Sequence, residues 1–302
     1  MRTSPLVSII MNCYNSERFL KEAIESIYSQ TYTNWEIIFW DNASDDSSAE
    51  IAKSFDNKLK YYSAKITSPL GEARNYALKK ASGKYIAFLD CDDIYLPDKL
   101  QKQVESSENN GSVLCYGSAI VINEAGDELT KNIVTNQNGY IFDKLLQHYE
   151  INMQSAIVRR DFLEANNIIF DATLKYSPDF NLFMRVAALG DVSVLKKCLV
   201  KYRITSDSLT ARSCELIYSE RKHTLDQLSK DEELVKKNRS AFDFAYKMLN
   251  YFKAINYINN GEKKLARACF RKVMDVKWKY KVFYFVLFLP LSPNFLLKKI
   301  FR

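Results

Sequence analysis

Apolar and polar positions in the first hundred residues fall into two alternating kinds of block. The runs 6–11, 35–40 and 85–89 are short and nearly continuously apolar, the pattern of strands buried on both faces of a parallel sheet. Residues 60–62 predict a further strand, the third in order. Between these strands, Phe19, Leu20, Ala23, Ile24 and Ile27 recur at helical spacing, with Ser16 placed to cap and Glu17 in the first turn. Residues 51–55 predict a short helix. Another starts at Glu72, carries Ala73, Tyr76, Ala77 and Leu78, and stops at Gly83. Strand and helix in alternation predict an open α/β sheet, whose ligands bind outside the carboxyl ends of the strands.

That edge is where the polar residues collect. The strand 85–89 ends abruptly at Asp90, Asp92 and Asp93. Three carboxylates in four positions repel one another, so such a cluster calls for a cation or several donors. An Asx turn capping the next helix, which opens near Pro97, accounts for the same residues. Both readings stand at this point. Asn15, Asp41 and Arg74 also fall at strand ends or helix starts, and together with the acids they can line one crevice.

Beyond residue 104 the chain turns polar, then predicts strands at 112–116 and 119–122 with a turn at 123–127. A helix follows at 142–148 and another from Asp161. A third, 177–190, has Pro178 and Asp179 at its start and Gly190 at its stop. From Cys214 the pattern is helical throughout: 216–228, 241–259, a break at Gly261, and 264–275. The end differs again, with an apolar run at 282–291. As a helix it would rise only ~15 Å against a hydrocarbon core of ~30 Å. Lys277, Lys279, Lys281, Lys298, Lys299 and Arg302 flank it, with Trp278 and Tyr280 as an aromatic belt. A segment lying in an anionic membrane surface and a helix docked on protein are the two readings.

Composition narrows the class. A chain of 302 residues, 47% hydrophobic and 26% charged, can bury a sizeable core, which excludes wholesale disorder. The net charge of +7 is unaccompanied by a long basic run or a nucleic-acid motif, so no nucleic-acid partner is expected. Six cysteines are scattered singly and only two histidines could join them. That argues against zinc and for reduced thiols. The first residues enter a strand without a signal-peptide pattern, so a cytoplasmic protein is expected.

In order, VSII, YNSERFL, SIYSQTYTNWEIIFWDNASDD, GEARNYAL and ASGKYIAFLDCDD strongly resemble the amino-terminal half of family 2 glycosyltransferases. The likeness is close over about the first hundred residues and looser to about residue 210. It implies an α/β fold of the GT-A type, a Rossmann-like nucleotide-diphospho-sugar transferase domain with a mixed, mostly parallel sheet, followed by a C-terminal helical extension. The expected division is 1–212 for that domain (1–104 nucleotide-binding, 105–212 acceptor) and 213–302 for the helical extension with its membrane-associating tail.

The resemblance also implies roles. Cys13, Tyr14, Asn15 and Glu17 stand where such enzymes hold the donor nucleotide, and Asp41 where a carboxylate takes the base's N–H. Arg74 matches a basic residue near the diphosphate. Asp90 and Asp92 match the DxD pair, Asp92 ligating Mn²⁺ or Mg²⁺ directly and Asp90 facing the ribose or a metal-bound water. Asp179 aligns with the catalytic base. The chain departs from the family at Asn12, Cys13 and Asn42, at Pro178 and Asn181 beside the base, and at Thr205, where a His is usual. The implied activity is inverting, metal-dependent transfer of a hexosyl or N-acetylhexosaminyl group from a UDP-sugar to a glycan or lipid-linked acceptor in surface polysaccharide assembly, at the inner face of the cell membrane. A nucleotidyltransferase of related fold and a non-catalytic nucleotide-sugar-binding scaffold are the alternatives, and homo-oligomerisation is left open.

Overall fold

The computed structural model describes residues 4–205 and 214–289. The chain divides into two compact units, Met1–Leu145 with Tyr149–Ser206, and Leu146–His148 with Asp207–Arg302.

The first unit opens with β1 (Val7–Cys13), α1 (Glu17–Tyr28), β2 (Trp35–Asp41), α2 (Ser48–Lys53), β3 (Leu59–Ser63), α3 (Leu70–Leu78) and β4 (Tyr85–Phe88). It continues through β5 (Ile94–Tyr95), α4 (Lys99–Asn110), β6 (Leu114–Ile122), β7 (Glu128–Asn132), α5 (Phe142–Gln147), β8 (Ile157–Arg159), α6 (Arg160–Ala165), α7 (Pro178–Leu189) and β9 (Val192–Arg203). Its sheet runs β3-β2-β1-β4-β8-β6-β9-β5, with β7 on β6. β3, β2, β1 and β4 are parallel, as are β6 and β9; β8, β5 and β7 pair antiparallel. This is the expected mixed α/β fold, with its long pairings parallel.

The apolar runs form strands because each is covered on both faces: Val7, Ile9 and Met11 on one side of β1 and Ser8 and Ile10 on the other are at most 2% exposed, as are Ile37 and Phe39 on one side of β2 and Ile38 on the other. The order 3-2-1-4 reverses direction between β1 and β4, the switch point at which a crevice opens at the strands' carboxyl ends. The helix stop expected at Gly83 has another cause. α3 already ends at Leu78, and a Cβ on Gly83 would lie 2.6 Å from the Ser8 amide nitrogen and 2.7 Å from the Leu6 carbonyl. Gly83 is therefore required by the close approach of the chain entering β4 to β1.

Two strands expected at 112–116 and 119–122 are one. β6 runs through Gly117 and Ser118, and its register against β9 shifts there, so an irregularity absorbs what the sequence presents as a break. The polar run after residue 104 is the exposed face of α4, which ends at Gly111 with φ +63°.

The second unit holds α8 (Cys214–Leu228), α9 (Glu232–Lys237), α10 (Arg239–Asn259), α11 (Lys263–Arg271) and α12 (Trp278–Val286). α9 was not expected; the Asp231 side chain caps it by accepting from Leu234 N. α12 begins four residues before the apolar run, so its faces differ from the expected belt. Tyr280 is 4% exposed and packs against Tyr251 and Phe270, whereas Trp278 is 78% exposed. The aromatic belt is thus half wrong: Tyr280 belongs to a core. Residues 290 and 291, Lys298, Lys299 and Arg302 lie outside the described residues, as does the expected boundary at 212. Among the described residues no helix is long and apolar enough to cross a membrane.

Candidate active site

At the carboxyl ends of β1 and β2 the chain makes two loops that close on each other. Asn15 adopts φ +49° and Ala43 φ +67°, left-handed conformations that a non-glycine residue adopts only where surrounding structure enforces them. The enforcement is visible. Asn15 N donates to Ser44 Oγ (3.1 Å) and Asn15 Oδ1 accepts from Asp45 N (3.0 Å). Glu17 Oε2 accepts from Ser47 N (3.0 Å), and Glu17 N donates to Asp46 Oδ2 (3.0 Å). The start of α1 is thus capped by Asp46 of the neighbouring loop. Ser16, the expected cap, instead donates its hydroxyl to Tyr14 O (3.1 Å).

Beneath these loops, Asp41 is buried, its carboxylate accepting from Tyr61 Oη (2.6 Å) and Ser44 N (2.8 Å). Cys13, beside it in register, is also buried, and its carbonyl accepts from Asn42 N (2.8 Å). Contact with the Cys91 thiol brings the Cys13 thiol down to about 7 against the opposing pull of burial. Tyr14, by contrast, is exposed. Cys13, Tyr14, Asn15, Glu17 and Asp41 are therefore gathered at the carboxyl ends of β1 and β2, with Tyr14 exposed and Cys13 and Asp41 buried beneath the loops.

Across the switch point lies the acidic cluster. Asp90 is held between the halves of the unit: Arg74 Nη2 of α3 donates to its Oδ1 (3.4 Å), and Gln154 Nε2 to its Oδ2. Arg74 is itself buried, its guanidinium 5.4 Å from the Phe170 ring centroid. Burial and then the charge of Asp90 push the Asp92 carboxyl up to about 6. Asp93, 1% exposed, is raised further by burial and by Asp92 and Asp90. The cluster is thus short of positive charge, and a hard divalent ion would find carboxylate oxygens there. Asp92 and Asp90 fit such an ion if phosphates and water complete its shell. Among the described residues no group of three or more His, Cys, Asp or Glu side chains is placed to hold a metal.

Arg203 secures this loop. Its backbone N–H donates to Asp93 Oδ1 (2.7 Å), Nε to the Asp92 carbonyl (2.8 Å), Nη2 to Glu22 (2.7 Å) and Nη1 to the Glu124 carbonyl (3.1 Å). The sequence marks Arg203 only as part of a strand-end segment. Neither its four-way clamp nor the part played by Gln154 has a local signal, because their partners lie some 110 and 64 positions away.

Asp179 lies in the first turn of α7 and is half-buried. One turn further along, Phe183 packs edge-on against Phe88 at 6.0 Å between centroids. Phe88 ends β4, two residues before Asp90, so α7 is braced against the strand that presents the acids. Pro178 at the first helical position supplies a fixed φ there. Thr205 follows the end of β9.

The chain is 30% identical over 209 residues, 68% of its length and 80% of the relative's, to an Escherichia coli protein named UDP-Glc:alpha-D-GlcNAc-diphosphoundecaprenol beta-1,3-glucosyltransferase WfgD. It is 29% identical over 284 residues to an uncharacterised glycosyltransferase of Rickettsia bellii, spanning 40% of that protein's length. Its fold is similar to that of Staphylococcus aureus TarS, solved with UDP-GlcNAc, with a TM-score of 0.71 at 19% identity, covering 91% of this chain and 83% of the other. Residues 8–174 match the family model described as glycosyl transferase family 2. The strand-end motifs, the sheet that carries them and these matches agree: the chain belongs to glycosyl transferase family 2.

Proposed function

We propose that this protein transfers a sugar from a UDP-linked donor to a hydroxyl of a lipid-linked glycan, with inversion at the anomeric carbon. The observation that carries the reading is the Asp90–Asp92–Asp93 cluster at the switch point, short of positive charge and faced by the buried Arg74. A divalent ion would supply positive charge to the carboxylates, and a donor diphosphate would meet that ion and Arg74. The donor nucleotide and the lipid-linked acceptor come from the named activity of the E. coli relative.

In this reading the segment from Cys13 to Glu17 holds the nucleoside and Asp41 meets the base. Asp92, with Asp90 beside it, holds Mn²⁺ or Mg²⁺, which when bound supplies Lewis-acid stabilisation of the leaving diphosphate. Asp179 takes the acceptor hydroxyl's proton as that oxygen bonds to the anomeric carbon. The bond from that carbon to the diphosphate oxygen breaks, and its electron pair leaves with UDP. Arg74 offsets the charge that develops there.

Assay of products from a UDP-sugar with a lipid-linked acceptor tests this: free UDP is expected, and release of pyrophosphate would point instead to nucleotidyl transfer. Asp179→Asn should keep donor affinity and lower turnover by ~10²–10⁴-fold, the size of a general-base contribution. Near-native turnover in a variant of lowered melting temperature would leave Asp179 as a helix-end residue only.

The second unit bears on the acceptor. Trp278, Val282, Phe285 and Leu289 lie at helical spacing along α12 and its end, all exposed, while Tyr280, Phe283 and Leu287 pack inward. An apolar stripe beside the exposed Lys277 and Lys281 suits an anionic lipid surface. Trp278→Glu with Phe285→Glu is expected to abolish co-sedimentation with vesicles containing phosphatidylglycerol; unchanged binding would remove the membrane from the proposal.

A further inference from the structure

Gln154 has a role that the strand-end motifs do not announce. It is 3% exposed, in the 3₁₀ turn Met153–Ser155 between α5 and β8. Asn152 fixes that turn: its Oδ1 accepts from Gln154 N (3.1 Å) and Ser155 N (3.3 Å). Within the turn the amide has one orientation that works. Its Nε2 donates to Asp90 Oδ2 and its amide also lies against Asp93. Rotated by half a turn about its last bond, it would bring Oε1 against the Asp90 carboxylate, oxygen against oxygen.

The working orientation has a visible cost. Gln154 Oε1 is buried with no hydrogen-bond partner among the described residues, and so is Asp93 Oδ2. An orphaned buried acceptor is unfavourable, and native structures keep few of them. Here the amide gives up its own acceptor to place a donor on a carboxylate that already meets Arg74 only at 3.4 Å. Without Gln154, Asp90 would have that one long contact, and the charges of Asp92 and Asp93 would be free to turn it away.

We propose that Gln154 is a positioning residue for the donor site: it fixes the rotamer of Asp90, and so the acid's approach to the nucleotide diphosphate and its ion, from the half of the fold that leads toward the acceptor. This rests on the reading of Asp90 as part of the donor site. Gln154 touches no reacting atom and acts through Asp90 alone.

Gln154→Met keeps the size and removes the donor. It is expected to raise the donor KM about tenfold, the loss attached to one hydrogen bond on a charged group, with the acceptor KM unchanged. In an Asp90→Asn background the same change should add less than about twofold, because the group it positions is already gone. A role in stability alone would show an equal effect in both backgrounds and move both KM values. If Gln154→Met does not fold, Gln154→Asn withdraws the same donor by one methylene and carries the same expectation. Native donor KM in either variant, or effects that multiply with Asp90→Asn, would overturn the proposal. An Asp90→Asn protein with native donor KM would overturn the donor-site reading itself, a result distinct from a silent Gln154.

Discussion

Opposite ends of the same parallel strands hold two sets of carboxylates under opposite conditions. At the amino ends, Glu36 is nearly buried yet saturated: it accepts from Ser8 Oγ (2.5 Å), Lys60 Nζ (2.5 Å), Ser82 N (3.0 Å) and Ser82 Oγ (2.7 Å). Burial pushes its carboxyl up, but these donors, Lys60 foremost, overrule it and hold it at about 2. At the carboxyl ends Asp92 goes the other way, up to about 6, through burial and the neighbouring Asp90. Glu36 ties β1, β2, β3 and the entry to β4 together, and its ionised form stabilises the fold. Ionised Asp92 destabilises the fold until something outside the chain compensates it. A buried carboxylate whose needs the protein meets belongs to the architecture; one whose needs are left open marks where a ligand completes the structure.

Asp92 is where the two ends differ most. Asp92→Asn removes the charge on which metal-dependent donor binding depends, and turnover should fall by ~10³-fold or more, since several kcal/mol of charge stabilisation are lost at ~1.4 kcal/mol per decade. The same change should make the metal-free protein more stable. A raised carboxyl favours the fold below its unfolded value near 3.8 and loses that advantage as pH rises through 6. At pH 7 in chelator the variant should gain about 1–2 kcal/mol, after discounting for the group's partial exposure. Isothermal calorimetry with UDP and Mn²⁺, beside a melt in EDTA, reads both. Unchanged Mn²⁺-dependent UDP affinity would remove Asp92 from the metal site, and a lowered melting temperature would contradict the charge argument.

Glu36→Gln should show the mirror image. Turning a saturated carboxylate into an amide sets its NH₂ against the donors that faced it, costing about 2–4 kcal/mol with donor KM and turnover nearly native. The pH dependence has the opposite sign to that of Asp92. Because the folded value is depressed, the stabilisation is complete above about 4.5 and is lost as pH falls through about 2. Wild-type protein should therefore lose roughly 3 kcal/mol over that window that the variant lacks. Urea melts at pH 7 and pH 2 measure it; parallel acid sensitivity in the two proteins would mean that Glu36 is not the anchor described.

The two ends were not equally legible in the sequence. The acids after residue 89 announce themselves because strand ends are read from local pattern, and the placing of Asn15 and Asp41 follows from the same edge. Asp179 was legible only through resemblance, since a first-turn acid has an ordinary place at any helix start. Glu36 had no signal, and Arg203 and Gln154 had none for the contacts they make: each does its work through partners dozens of residues away or on another strand, which no window along the chain contains. Tyr280 misled for a related reason. Its neighbours in sequence are basic and apolar as a membrane belt would be, and only the helix phase set by Tyr251 and Phe270 turns it inward.

Lys99 meets the same buried environment with the opposite charge. Lys99 is fully buried in α4; its Nζ donates to Gln103 Oε1 (2.7 Å) and lies 4.1 Å from the Tyr95 ring centroid. Burial brings it down to about 7, so here too the interior leaves an ionisable group undercompensated, far from any strand-end acid in role. For a lysine depressed in this way the cost is complete below about 7 and disappears as pH rises toward the unfolded value near 10.5. Lys99→Met fills the same space without a charge. Against that gain stands Gln103, whose Oε1 loses its donor while Nε2 still serves the Cys115 carbonyl (3.1 Å) and the Ser155 carbonyl (2.8 Å). The net is a stabilisation of about 1 kcal/mol at pH 6 that is gone by pH 9, with turnover unchanged. Chemical melts across that range read it directly. A variant less stable than wild type at pH 6 would mean that the amine's contacts with Gln103 and the Tyr95 ring outweigh its desolvation, and that Lys99 belongs with Glu36 among the groups whose needs the protein meets.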